Sequence, residues 1–256
     1  MFNVEKYVAK LGYTGPLVPD LDTLRILHKL HLMNVPFDNY LNEARGLGIW
    51  DGVDIDVDEI FAAVIVGGRG GVCYELNGLF RELLRRIGYD VMILSAGVRA
   101  PDGTYGPELE HVFTGVNLDG ERWLVDVGFS GPSYIEPVRS ADEAQEQYGS
   151  RFKVVAEDGF LVLERQVREG DWRAVYRFRE RPRDVAEWSA DNPELNAYAR
   201  QLAAHVLHIR ARATDRGQMT LVGRRFLRVS DGHEQVRVLV RPNELQEVLD
   251  DILLRA

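Results

Sequence analysis

The stretch "GGRGGVCYELNGLF", Gly67 to Phe80, decides how the rest of the chain is read. Four glycines and Arg69 lead into Cys73, the only cysteine of the 256 residues. From Cys73 onward, Leu76, Leu79, Phe80, Leu83 and Ile87 recur at helical spacing, and Gly88 marks the stop. A helix N-terminus carries unpaired N–H groups, which favour a thiolate over a thiol. Glycine before it allows a substrate to approach the backbone closely. Position and neighbours therefore suit an activated nucleophile, and the competing reading of a lone cysteine is a buried, inert thiol. A phosphate cradle is disfavoured. The stretch lacks the Gly-Lys-Ser/Thr ending of a P-loop, and its spacing fails the dinucleotide fingerprint.

Outward from that stretch the chain changes character twice. Before it, "NVEKYVAKLGY" opens on Asn3 as an N-cap and lines up Val4, Tyr7, Val8 and Leu11. "DLDTLRILHKLHLM" repeats the pattern with Leu21, Leu24, Leu27 and Leu30, and Pro36 ends it. Asp56 can cap a short helix running to about Val64. After Gly88 the period becomes two. "DVMILSAGVRA" ends at the turn "PDG", and "EHVFTGVNL" and "RWLVDVGF" flank "DG", a strong hairpin signal. "FKVVAE" and "FLVLERQV" flank another "DG", and "WRAVYRFRE" reads as a further strand. Successive antiparallel strands predict a barrel or sandwich. The last third is mixed: a helix within "NPELNAYARQLAAHVL", strands in "QMTLVGRRFLRVS" and "EQVRVLV", and a closing helix from Pro242.

Composition narrows the class of function. A net charge of −9 argues against a general nucleic-acid binder, because phosphates would repel the chain. One cysteine forms no internal disulfide, so no oxidising compartment is called for and a cytoplasmic location is expected. The N-terminal stretch is charged and amphipathic, unlike a signal peptide. No uncharged apolar run approaches the roughly 20 residues a membrane helix needs. No membrane partner is expected.

A nucleophilic cysteine needs a base, usually histidine, and a group that orients it. Of the six histidines, His28 and His31 lie three apart on a helix, as do His205 and His208. Neither pair has a third ligand beside it, so core or solvated histidines are expected rather than a metal site. His233 follows "DG" and reads as a loop residue. His111 differs: it begins a strand directly after the acidic "PELE". Asp126 sits in the next strand amid apolar neighbours, where a carboxylate is costly unless paired. Across the hairpin the two can meet, giving Cys73, His111 and Asp126 as a candidate triad.

With these residues in hand, "RGGVCYELNGLF" closely resembles the active-site signature of the arylamine N-acetyltransferase family. "VPFDN" (Val35 to Asn39) is similar to that family's Pro-Phe-Glu-Asn element, and His111 and "WLVDVGF" follow in family order. The resemblance implies an α+β fold in three parts: a helical bundle (1–89) carrying the cysteine, an antiparallel β-barrel (90–190) carrying His111 and Asp126, and an α/β lid (191–256). By resemblance Cys73 takes an acyl group from a thioester, His111 handles the proton, Asp126 holds His111, and an aromatic amine then attacks the acyl-enzyme. The N–H groups of Cys73 and Val112 would form the oxyanion hole. Phe37, Val72, Tyr74, Gly128 and Phe129 would line the substrate pocket. Arg69, Glu75 and Asn77 would support it, with Arg69 paired to a carboxylate such as Glu75. No tightly bound cofactor and no metal is implied, only an acyl thioester donor.

The chain departs from ordinary acetyltransferases after "DVGF", where it continues "SGPSYIEPVRSADEAQEQYGSRF". It also lacks their His-Pro-Ser-type stretch, having "SADNPELNAYARQLAAHV" instead. With "VPFDNYLNEARG" and "IWDGVDIDVDEIF", these features are more similar to the amide synthases of ansamycin antibiotic pathways. Those members release a polyketide by closing a macrolactam on an aromatic amine of the chain itself. The donor would then be a carrier-protein-bound polyketide, the alternative being acetyl-CoA. A cysteine hydrolase with the same triad and a non-catalytic binding module are the competing classes. Arg200, Arg210, Arg212, Arg216, Arg224, Arg225 and Arg228 fall in a segment whose one acid is Asp215. Such a face could dock an acyl carrier protein or the phosphates of CoA, with Arg224, Arg225 and Arg228 as candidates, or be an ordinary solvated face.

Overall fold

The computed structural model describes residues 1–41, 56–188, 192–204 and 207–254. The segments "NEARG" (42–46) and "IWDGVDI" (49–55), and His205, lie outside them. Helix α1 (Val4–Leu11) starts where the Asn3 side chain accepts the Lys6 N–H at 2.7 Å. Helix α2 (Leu21–Asn34) starts where Asp20 accepts the Thr23 N–H at 2.8 Å. After α2 comes a two-residue strand, β1 (Phe37–Asp38). Helix α3 (Val57–Ile60) is capped by Asp56, whose carboxylate accepts the N–H groups of Asp58 and Glu59. It continues as a wider π-type turn over Phe61–Val66, two residues beyond the end expected from sequence, and puts Phe61, Val64 and Ile65 inside. Helix α4 (Cys73–Ile87) ends at Gly88. Its inner face, Leu76, Leu79, Phe80, Leu83 and Leu84, is fully buried, which stabilises the fold by about 1.5–3 kcal/mol per side chain.

Eight antiparallel strands then form one sheet: β2 (Asp90–Val98), β3 (His111–Leu118), β4 (Glu121–Val125), β5 (Val138–Arg139), β6 (Gln145–Gln147), β7 (Ser150–Glu157), β8 (Phe160–Val167) and β9 (Arg173–Phe178). Their order is β5-β4-β3-β2-β9-β8-β7-β6. The "DG" pairs at 119–120 and 158–159 both take positive φ at each position, as the mirror-image hairpin turn requires. The sheet curls until its end strands nearly meet, and side chains complete the seam. Gln145 of β6 accepts the Arg139 N–H at 2.8 Å and donates to its carbonyl at 2.9 Å. Gln147 does the same for the backbone at Ile135 and Glu136. Val154 of β7 adds a backbone bond to the Ala141 carbonyl at 2.8 Å.

The last part is built around a second sheet. Helix α5 (Pro193–Ala204) leads to β10 (Ile209–Thr214), β11 (Gly217–Val222), β12 (Arg225–Ser230) and β13 (His233–Val238), and helix α6 (Pro242–Leu253) closes the chain. Two expectations are corrected here. "QMTLVGRRFLRVS" is not one strand but two, because Gly223 at φ 57 turns the chain between Val222 and Arg225. His233 is not in a loop: it starts β13 opposite Ser230. Strand β1 pairs with β10, so the segment after α2 joins the C-terminal sheet. The largest core cluster is continuous across all parts: Leu27 and Phe80 from the helices, Val116 and Trp123 from the barrel, and Ala213 from β10. No described helix is long and apolar enough to cross a membrane.

Candidate active site

Cys73 is the first residue of α4 and is partly exposed. Glu75 fixes the turn that delivers it. One carboxylate oxygen accepts the Val72 N–H at 3.1 Å and the other meets the Arg69 guanidinium at 2.7 Å. Glu75 is only 2% exposed, so the turn is braced from inside the protein.

The β3–β4 hairpin sets Thr114 opposite Val125, which leaves His111 and Asp126 at the same end of the two strands. His111 Nε2 lies 2.6 Å from Asp126 Oδ2, and both residues are buried. The Cys73 sulfur also acts on the imidazole. Burial alone would pull the His111 pKa down. The Asp126 carboxylate and the Cys73 sulfur outweigh it and push it up to about 10. Burial would likewise raise the Asp126 carboxyl, but His111, the Asn77 amide and the Gly128 N–H hold it below the usual carboxylate range.

Asp126 is held from every side. Asn77, one helical turn after Cys73, donates to Asp126 Oδ1 at 3.0 Å and to the Val112 carbonyl at 2.8 Å. Its own oxygen accepts the Val127 N–H at 2.9 Å. The Gly128 N–H reaches Asp126 Oδ1 at 3.1 Å. The backbone N–H of Asp126 donates to His28 Nε2 at 3.1 Å, while His28 Nδ1–H donates to the Ile135 carbonyl at 2.7 Å. His28 must be neutral to do both, and burial lowers its pKa to about 4. His31 is buried beside it, bonded to the Tyr7 hydroxyl at 3.0 Å. His28 is the support that sequence reasoning missed, because its partner lies 98 residues away.

Cys73 and His111 open onto a cavity of about 700 Å³. Phe37, Val72, Tyr74, Gly128 and Phe129 line it. Gly128 packs against the start of α4: a Cβ there would stand 2.6 Å from the Cys73 Cα. Val112, one residue past His111 in β3, is buried. The cavity reaches the β8–β9 hairpin at Gly170 and Asp171 and the C-terminal part at Tyr198 and Glu234.

The arginine-rich segment is placed elsewhere. Arg210 pairs with Asp38 at 3.1 Å, Arg212 with Asp251 at 2.9 Å and Arg216 with Asp231 at 2.6 Å. Arg224 donates to the carbonyls of Leu239 and Val240. Arg225 and Arg228 are exposed on β12, three residues apart and so on opposite faces of the sheet. Among the described residues no group of three or more His, Cys, Asp or Glu side chains could hold a metal.

A sequence profile described as N-acetyltransferase matches residues 20–254. The chain belongs to the arylamine N-acetyltransferase family. It is an acyltransferase. Proansamycin X synthase of Amycolatopsis mediterranei (strain S699) is 37% identical over 259 residues, covering 99% of this chain and 97% of that protein. An arylamine N-acetyltransferase of Mycolicibacterium smegmatis is 30% identical over 260 residues, covering 97% and 89%. Among solved structures, the arylamine N-acetyltransferase from M. tuberculosis matches with a TM-score of 0.81 at 25% identity, covering 97% of this chain and 92% of that one.

Proposed function

We propose that this acyltransferase is an amide synthase, which takes a polyketide acyl chain from a thioester onto Cys73 and releases it to an aromatic amine of the same chain as a macrolactam. The observation that carries this reading is the likeness to proansamycin X synthase, 37% identical along 99% of the chain. The cavity agrees with it. At about 700 Å³ it falls within the roughly 300–1,000 Å³ of pockets that enclose drug-sized ligands. An acetyl group would fill little of that space.

The triad geometry suits the chemistry. The Cys73 thiolate attacks the thioester carbonyl, and the oxyanion meets the N–H groups of Cys73 and Val112. Collapse breaks the donor C–S bond, and the leaving thiolate takes the proton from His111. The amine then attacks the acyl-Cys73 carbonyl. An arylamine is uncharged at neutral pH, so its lone pair is free. His111 takes one amine proton, the bond to Cys73 breaks, and the amide departs. Asp126 keeps His111 oriented throughout. The donor thiol belongs to a carrier protein in this reading. The 30% identity to the M. smegmatis acetyltransferase favours acetyl-CoA as the second reading.

Intact-protein mass spectrometry separates the two. The protein is incubated with acetyl-CoA, and separately with an N-acetylcysteamine thioester of a long acid bearing an aryl amine. Turnover of the long thioester to a cyclised product, lost in Cys73→Ala, is the expected result. Rapid acetylation of Cys73, discharged by added arylamine, would favour the acetyltransferase.

A further inference from the structure

Glu110 directly precedes His111 and lines the same cavity as Cys73. Two donors from different elements fix it. The Tyr198 hydroxyl, carried by α5, donates to Oε1, and the Val98 N–H at the end of β2 donates to Oε2 at 3.0 Å. Gly106 leaves room for the group: a Cβ there would lie 1.8 Å from Glu110 Oε2. The flanking backbone is pinned as well. Arg183 pairs with Glu108 at 2.7 Å, and the Trp188 indole donates to the Leu109 carbonyl at 2.7 Å. Tyr198 also lines the cavity.

Burial raises the Glu110 carboxyl above its ordinary value, while Tyr198, the Val98 N–H and His111 favour its ionised form. Ionised, it only accepts hydrogen bonds, and it offers about four lone-pair sites. Tyr198 and Val98 use two of them. A group of this kind in the cavity repels a phosphate or a carboxylate, and suits an N–H. We propose that Glu110, held by Tyr198, is the subsite that orients the attacking amine, accepting the N–H that His111 does not take. This rests on the acyl-Cys73 reading above. A primary arylamine carries two N–H bonds. During attack the nitrogen lone pair forms the C–N bond, one proton passes to His111, and the Cys73 C–S bond breaks. The second proton stays on nitrogen, hydrogen-bonded to Glu110, and aims the lone pair at the carbonyl carbon. Glu110 itself gains and loses no proton.

The test separates the half-reactions. Wild type, Glu110→Gln and Tyr198→Phe are acylated with the N-acetylcysteamine thioester of 3-phenylpropanoic acid. The acyl-enzyme is then chased with aniline or with N-methylaniline, which has a single N–H. Loss of a charge-assisted bond should slow the aniline chase in Glu110→Gln by about tenfold or more. The N-methylaniline chase should slow much less, so the preference for the primary amine shrinks. Tyr198→Phe leaves the carboxylate and its Val98 bond in place and should show the same trend, smaller. Equal slowing of both amines would mean that the pair only braces the fold, and no slowing would mean that it does not meet the amine. Either result overturns the proposal. A wild-type protein that takes up no acyl group on Cys73 overturns the underlying reading, and the subsite with it.

Discussion

Asn77 shows how much a single neutral side chain can hold at this site. Its amide joins three buried groups: the Val112 carbonyl, the Asp126 carboxylate and the Val127 N–H. Each lies next to a residue with a proposed part in the chemistry. Asn77→Ala would leave the Val112 carbonyl and the Val127 N–H buried without this partner, at about 1–3 kcal/mol each. It would also free Asp126 to turn. The expected result is a loss of ~2–6 kcal/mol in urea unfolding and at least a tenfold slower acylation of Cys73. Unchanged acylation in a folded Asn77→Ala protein would mean that Asp126 needs no such anchor. Helical spacing alone puts Asn77 four residues after Cys73, on the same face. Its partners lie 35, 49 and 50 residues away, so only the fold reveals them. His28 is the sharper case, because nothing in "LHKLH" points to the backbone of Asp126.

At the scale of elements, the barrel seam is closed by side chains rather than by a strand pair. Strands β5 and β6 contain two and three residues and pair with β4 and β7, not with each other. The Gln145 amide stands in for a paired strand by bonding both backbone groups of Arg139. Gln145→Ala should therefore cost about 1–2 kcal/mol. The loss should be local: faster hydrogen exchange at the Arg139 amide, with the Gly115 and Val116 amides of β3 unchanged. Exchange that rises evenly through the barrel would argue that the seam is not a separate unit. These short strands could not be read in advance, since two or three residues show no alternation. The "DG" hairpins could, because their turn chemistry is local. Strand β10, "IRARAT", alternates, but its outward residues are arginines. Their acids come from Asp38 and Asp251, far along the chain, so the segment reads as a basic patch rather than as a strand.

For the whole molecule, three buried histidines pull its stability in opposite directions with pH. Unfolded, each titrates near ~6.5. His28 and His31 are desolvated in the fold, and their values drop to about 4 and about 3. As pH falls from 6.5 towards 4, the unfolded chain gains two protons that the folded chain refuses, and stability is lost. His111 is the reverse: burial opposes its charge, but Asp126 and Cys73 raise it to about 10. Its contribution is complete below pH 6.5 and is lost as pH rises from there through 10. The two tendencies balance near neutrality, where the folded chain holds one of the three protons. Each unmatched proton changes stability by ~1.4 kcal/mol per pH unit, so the acid limb should be about twice as steep as the alkaline one. Urea unfolding followed from pH 5 to 10 should trace this lopsided dome. His31→Leu should relax the acid limb. Asp126→Asn should flatten the alkaline limb, because the charge that holds the His111 proton is gone. An alkaline limb that survives Asp126→Asn with the same slope would show that the ion pair beside Cys73 is not what the folded state protects.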